Sequence, residues 1–105
     1  MAWAMLFVAG LLEVVWAYTM KLSQGFTRPA ASAVTLVAML ASFGLLSASM
    51  KTLPLGTAYT IWTGIGAIGA FVVGIVALGE SVNAVRVLAA ALIVSGLALM
   101  KLSTP

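Results

Sequence analysis

Two stretches of this chain, from Ala30 to Met50 and from Leu55 to Gly79, contain no charged side chain. Each is long enough to cross a bilayer, which takes about 20 helical residues. A soluble domain of 105 residues must present a polar surface larger than its core. With 64% hydrophobic and 7% charged residues, this chain has no such surface to offer. Ordinary globular chains carry roughly 25% charged residues. The mean hydropathy, +1.24, agrees with a membrane protein.

Two further spans complete the pattern. The first covers about Ala2 to Met20 and ends at Lys21; the fourth covers about Val85 to Met100 and ends at Lys101. Met1-Ala2-Trp3-Ala4 brings no cation beyond the amino terminus, and Glu13 interrupts the apolar stretch. The first span therefore reads as a retained helix and not as a cleaved secretion signal. Pro29 and Pro54 suit helix starts, Gly25 suits a helix C-terminal cap, and Gly64-Ile65-Gly66 in mid-span suits a bend. The expected fold is all-α, a single domain over residues 1–105 with helices at about 2–20, 30–50, 55–79 and 85–100. Its connections are too short to hold a site outside the membrane.

The five cations mark where the chain leaves the lipid. Lys51, Lys101 and the amino terminus fall on one side, and Lys21, Arg28 and Arg86 on the other. Orientation follows Lys/Arg asymmetry, which is nearly balanced here. Insertion both ways round and one weakly fixed orientation stand about even. Scattered single cations make nucleic acid an unsuitable partner. The absence of Cys and His removes disulfides, thiolate chemistry and Cys/His metal sites, so no cofactor or metal is expected.

Glu13 carries the chemistry. It lies about seven residues inside its helix, roughly 10 Å deep at a 1.5 Å rise per residue. A carboxylate at such depth costs about 2.5–3.5 kcal/mol on insertion scales and marks a functional site by default. The bland alternative is a polar contact that only glues helices. Leu6, Ala9, Gly10 and Ala17 share its face, and Trp16, one turn on, can donate its indole N–H to the carboxylate. On the third span Tyr59, Trp62 and Gly66 share a face, and their rings favour cations over ordinary packing. On the second, Ser32, Thr35, Met39, Ser42 and Phe43 form one stripe, whose hydroxyls either serve the site or bond back to their own helix. Ala89, Ile93, Gly96 and Met100 form a small-residue seam on the fourth. Glu80 lies in a connection, either solvated or paired with Arg86.

One carboxylate cannot enclose a substrate. Two copies of the chain, each supplying Glu13, would form a paired site that titrates as a unit. A cation entering displaces protons, and protons returning displace the cation. That competition is antiport.

The segments Gly10-Leu11-Leu12-Glu13-Val14-Val15-Trp16, Lys21-Leu22-Ser23-Gln24-Gly25-Phe26-Thr27-Arg28 and Pro54-Leu55-Gly56-Thr57-Ala58-Tyr59-Thr60-Ile61-Trp62-Thr63-Gly64-Ile65-Gly66 resemble the small multidrug resistance family of bacterial transporters. The resemblance runs the whole length. It implies an antiparallel, dual-topology homodimer in the bacterial inner membrane, with protons and cation competing for the two Glu13 carboxylates. It implies that Tyr59 and Trp62 line the site, that the Gly64–Gly66 bend serves alternating access, and that Ala89 and Gly96 form the dimer seam. Ala89 replaces a glycine of the family pattern. Trp16, Met39 and Lys51-Thr52-Leu53-Pro54 look like the guanidinium-exporting subtype; the drug-exporting subtype has glycine and tyrosine at the first two positions. In the guanidinium subtype Trp16, Ser42, Tyr59 and Trp62 hold the glutamates through hydrogen bonds, and Gly10 is expected to leave the substrate room.

The expected function is thus a proton-coupled antiporter of guanidinium or small guanidinyl cations, with the bilayer and a second copy as its partners. The first alternative is an exporter of quaternary ammonium and other lipophilic cations. An alternative of another class is a non-transporting assembly subunit, which gives no account of Glu13 beside Trp16. An enzyme is the least suited reading, since no nucleophile–base pair or metal-ligand set is visible.

Overall fold

A computed structural model describes residues 1–104. The chain forms four helices and nothing else regular: α1 Ala2–Leu22, α2 Pro29–Ser49, α3 Leu55–Leu78 and α4 Ala84–Ser103. All four are long and apolar enough to cross a membrane. In lipid, every backbone polar group must find its partner within such an element, which is why the apolar runs become uninterrupted helices.

The helix ends follow local chemistry. Pro29 sits in the first turn of α2, where its missing N–H costs nothing. Gly79, expected inside the third helix, instead caps α3 in the left-handed conformation at φ 67°. The fourth helix was expected to stop at Met100 and continues to Ser103. Lys101 does not end it, because a cation near a helix C-terminus is favourable. Its ammonium also lies 4.9 Å from the centre of the Trp3 ring.

The α1–α2 connection turns around Ser23. Gln24, Gly25 and Phe26 all adopt positive φ, at 50°, 75° and 65°. Only the glycine does so without steric cost. Ser23, fully buried, holds the turn: its Oγ donates to the Met20 carbonyl at 2.6 Å and accepts from the Phe26 N–H at 3.0 Å. Its own carbonyl accepts the N–H groups of Thr27 and Arg28 at 2.9 and 3.1 Å.

Helices α1, α2 and α3 pack together, whereas α4 leans on α3 and buries none of its residues within the chain. The packing is knob into notch. A methyl group added at Gly69 would strike Val14, one at Gly64 would strike Leu97, and one at Gly10 would strike Ile65. Close approach through small residues is how helices associate where lipid is as apolar as leucine. The helix α3 runs unbroken through Gly64 and Gly66, and both glycines are buried under a neighbour's side chain. Thr19 and Thr35 tie α1 to α2 through an Oγ1–Oγ1 hydrogen bond of 2.6 Å.

Glu80, left from the sequence as either solvated or bound to Arg86, lies with its carboxylate over Gly74 of α3. Arg86 turns instead to the Ser81 carbonyl and the Phe71 ring, whose centre is 5.1 Å away.

Replacing Ser23 by alanine removes the two Oγ bonds of a turn containing two strained non-glycine residues. The expected cost is about 1–2 kcal/mol, within the range for losing a buried hydrogen-bonding group. Thermal unfolding in detergent checks it: Ser23→Ala should melt below the wild type with its helical signal at low temperature unchanged.

Candidate functional site

The site builds outward from Ser42. A serine inside a helix usually bonds back to its own carbonyls. Ser32 and Thr35 do so, donating to Arg28 and Ala31 at 2.6 and 2.8 Å. Ser42 does not. It is fully buried and reaches across to donate to the Ala9 carbonyl of α1 at 2.7 Å. Its lone pair then accepts the indole N–H of Trp62 from α3 at 2.9 Å. One hydroxyl therefore connects all three packed helices, and it fixes the ring of Trp62, which is only 6% exposed.

Aromatic rings extend from that point in both directions. Tyr59 lies tilted against Trp62 with centroids 5.6 Å apart and is 53% exposed. On the other side Phe43 meets Trp62 edge-on at 5.8 Å, and Trp16 meets Phe43 edge-on at 6.3 Å. Such edge contacts suit the ring quadrupoles, and the exposed faces suit a cation.

Glu13 sits beside this row. Its side chain lies over Gly66, so that a methyl group at Gly66 would overlap the carboxylate. Among the described residues its Oε1 is buried without a hydrogen-bond partner, and so is Nε1 of Trp16. The Trp16-to-Glu13 bond expected from the sequence is absent. Burying an acceptor and a donor unpaired costs about 1–3 kcal/mol each. Two such groups lie one turn apart on one helix: the carboxylate oxygen can accept from an N–H donor, and the indole N–H needs an acceptor.

Other expected residues fall differently. The space expected at Gly10 is taken up by Ile65 of α3, because the two helices approach where no side chain intervenes. Met39 is half-buried on α2, three residues before Ser42. The bend residues Gly64 and Gly66 serve as notches for Leu97 and Glu13. Ala89 and Gly96 are exposed on α4. Gly96 borders a cavity of about 500 Å³ shared with Tyr59, Thr63 and Ile93.

Sequence reasoning missed two members of the site as such. Phe43, noted only as part of a stripe, joins the Trp16 and Trp62 rings. The Ala9 carbonyl is the acceptor that orients Ser42; Ala9 lies one turn before Glu13 on the same face, but a backbone acceptor leaves no mark in a sequence. Ile65 and Leu97 are likewise invisible without the fold, since any large apolar residue could fill a notch.

Residues 1–93 match the family model described as Small Multidrug Resistance protein. Curated relatives named Guanidinium exporter are similar over almost the whole chain. The one from Escherichia coli (strain K12) is 55% identical over 104 residues, which is 99% of this chain and 99% of the relative. Those from Salmonella typhimurium and Citrobacter freundii are each 54% identical over 104 residues, with the same 99% coverage of both chains.

Two substitutions separate the roles of these groups. Gly66→Ala should displace the Glu13 carboxylate and weaken cation binding by about 5- to 150-fold, if the overpacking cost of about 1–3 kcal/mol falls on the bound state. Ser42→Ala should strand the Trp62 N–H and lower stability by about 1–3 kcal/mol. Cation titration followed by tryptophan fluorescence reads the first, and a detergent melt reads the second.

Proposed function

The chain belongs to the small multidrug resistance family, and from that premise we propose that it exports guanidinium or small guanidinyl cations across the bacterial inner membrane in exchange for protons. The observation that carries this reading is the Glu13 carboxylate, deep in a membrane-spanning helix, with one oxygen buried and without a partner among the described residues. The guanidinium-exporter relatives, at 54% and 55% identity over full length, support the substrate.

The chemistry of the site supports it too. Guanidinium is a planar fork of N–H donors, and a carboxylate presents two oxygens in matching geometry. The Trp62–Ser42–Ala9 chain of hydrogen bonds holds the ring beside the carboxylate in place before the substrate arrives. Preorganisation of that kind favours a small hydrophilic ion, because binding then costs little further ordering. Tyr59, half-exposed against Trp62, and Trp16, one turn from Glu13, add rings that suit a cation.

Each chain brings one such carboxylate, so the site is complete only with a second copy. The proposed assembly is an antiparallel homodimer in which two Glu13 side chains share one site. Near-balance of Lys51 and Lys101 against Lys21, Arg28 and Arg86 supports insertion in both orientations. The exposed α4, with Ala89 and Gly96 on its surface, supplies an apolar face for the contact. Exchange then proceeds by competition. Protons on the Glu13 pair expel the cation on the acidic side, and the cation expels protons on the other.

A pH gradient across proteoliposomes, acidic outside for inside-loaded guanidinium, should drive its efflux. Glu13→Gln should abolish that flux, since an amide neither releases a proton nor neutralises a cation. Guanidinium affinity should fall as pH falls, because protonation removes the anion it binds. Wild-type flux from the glutamine variant would overturn the mechanism. Tight tetraphenylphosphonium binding without guanidinium binding would assign the chain to lipophilic cations instead.

A further inference from the structure

A second cavity, of about 330 Å³, opens where α1 and α3 end and α4 begins. It plays no part in the Glu13 site. Lys21 borders it from the last turn of α1, Arg86 from the first turn of α4, and Glu80 from the α3–α4 connection. Among the described residues no ion pair joins these three charges. Two cations and a carboxylate therefore face one cavity without neutralising one another.

Two of them are held in place. The Arg86 guanidinium is docked on the Phe71 ring and donates to the Ser81 carbonyl, which leaves further N–H donors free. The Glu80 backbone N–H donates to the Gly74 carbonyl at 3.0 Å, and its carboxylate lies over Gly74, where any side chain would displace it. Arg86 gains nothing from its own helix, because a cation in a first turn opposes the helix dipole. Its position needs another reason.

The depth of the cavity gives one. Its charged residues lie at or beyond the ends of helices long and apolar enough to cross a membrane, where a bilayer's headgroups would begin, and Ala67 and Ala70 of α3 add a small, apolar lining. Charged groups beside an apolar lining match the polar end of a phospholipid, whose headgroup enters the cavity while its acyl chains stay in the surrounding bilayer. Basic pockets between membrane helices bind lipid phosphates. The two cations also argue against a vestibule for a cationic substrate, which they would repel.

We propose that this cavity binds a phospholipid whose headgroup carries both a phosphate and a primary ammonium, as in phosphatidylethanolamine. The phosphate lies between Lys21 and Arg86, and the ammonium reaches Glu80. A purely anionic headgroup leaves Glu80 unpaired and repelled. A trimethylated ammonium has no N–H to donate to Glu80. The zwitterion with a primary amine pairs all three charges through charge-assisted hydrogen bonds.

Native mass spectrometry of the full chain, delipidated and then exposed to phosphatidylethanolamine, phosphatidylcholine or phosphatidylglycerol of equal chain length, tests the proposal. The wild type should retain the ethanolamine lipid about tenfold over the other two. Arg86→Gln and Lys21→Gln should reduce that retention about to the level of phosphatidylcholine. Glu80→Gln should reverse the preference towards phosphatidylglycerol, a switch that misfolding does not produce. Equal retention of the three lipids by the wild type overturns the proposal, as does an unchanged preference in Glu80→Gln. Displacement of the lipid by soluble phosphoethanolamine at comparable concentration overturns its lipid character and assigns the cavity to a free phosphate ester. The readout is lipid retention, so it stands apart from whether the chain transports guanidinium.

Discussion

Helices α1 and α3 meet through glycines on both sides. Gly66 and Gly69 receive Glu13 and Val14 from α1, and Gly10 of α1 receives Ile65 in return. In hydrocarbon there is little hydrophobic gain from burying a leucine against another helix, so close contact and a few hydrogen bonds must hold the bundle together. The glycines make that contact possible. They also bring a carboxylate into it, and the same notch that joins the helices seats the one acid in the middle of the membrane.

The hydrogen bonds that cross between helices are few and lie at different levels. Thr19 and Thr35 join α1 and α2 near one end. Ser42 joins α1, α2 and α3 beside Glu13. The second is the consequential one. It takes a hydroxyl away from its own helix, satisfies a buried indole, and orients the aromatic row from Trp16 to Tyr59. Stability and preorganisation rest on the same atoms, while Glu13 Oε1 and Trp16 Nε1 stay buried without a hydrogen-bond partner among the described residues. Such unpaired groups persist in a folded protein where binding supplies what folding does not.

The fourth helix stands apart from this arrangement. It packs on α3, touches α1 through Lys101 over the Trp3 ring, and buries no residue within the chain. An apolar helix so exposed belongs against lipid or against another protein surface. At its start the chain folds back, with Glu80 over Gly74 and Arg86 over Phe71, so that the charged end of the bundle is ordered as well. The molecule thus has two polar regions of different kinds: a buried, underpaired carboxylate inside a span and a charged cluster where the helices end.

How much of this was legible beforehand depends on the range of the interaction. Span number, helix type and the placement of Glu13 inside a span came from the amino-acid order alone, because the length of an apolar run is a local property. Even the errors were local: Gly79 left the helix for a left-handed cap, and Lys101 stayed in one. The Trp16–Glu13 bond and the open space at Gly10 failed for a different reason. Each depended on what α3 presents to α1, and the approach of two helices is not encoded in either one by itself. Only the packed structure selected the Ala9 carbonyl for Ser42, Phe43 as the link between two indoles, and Gly74 as the seat of Glu80. These contacts join residues far apart along the chain, and many side chains could have met there; which ones did was decided by the notches that let the helices close.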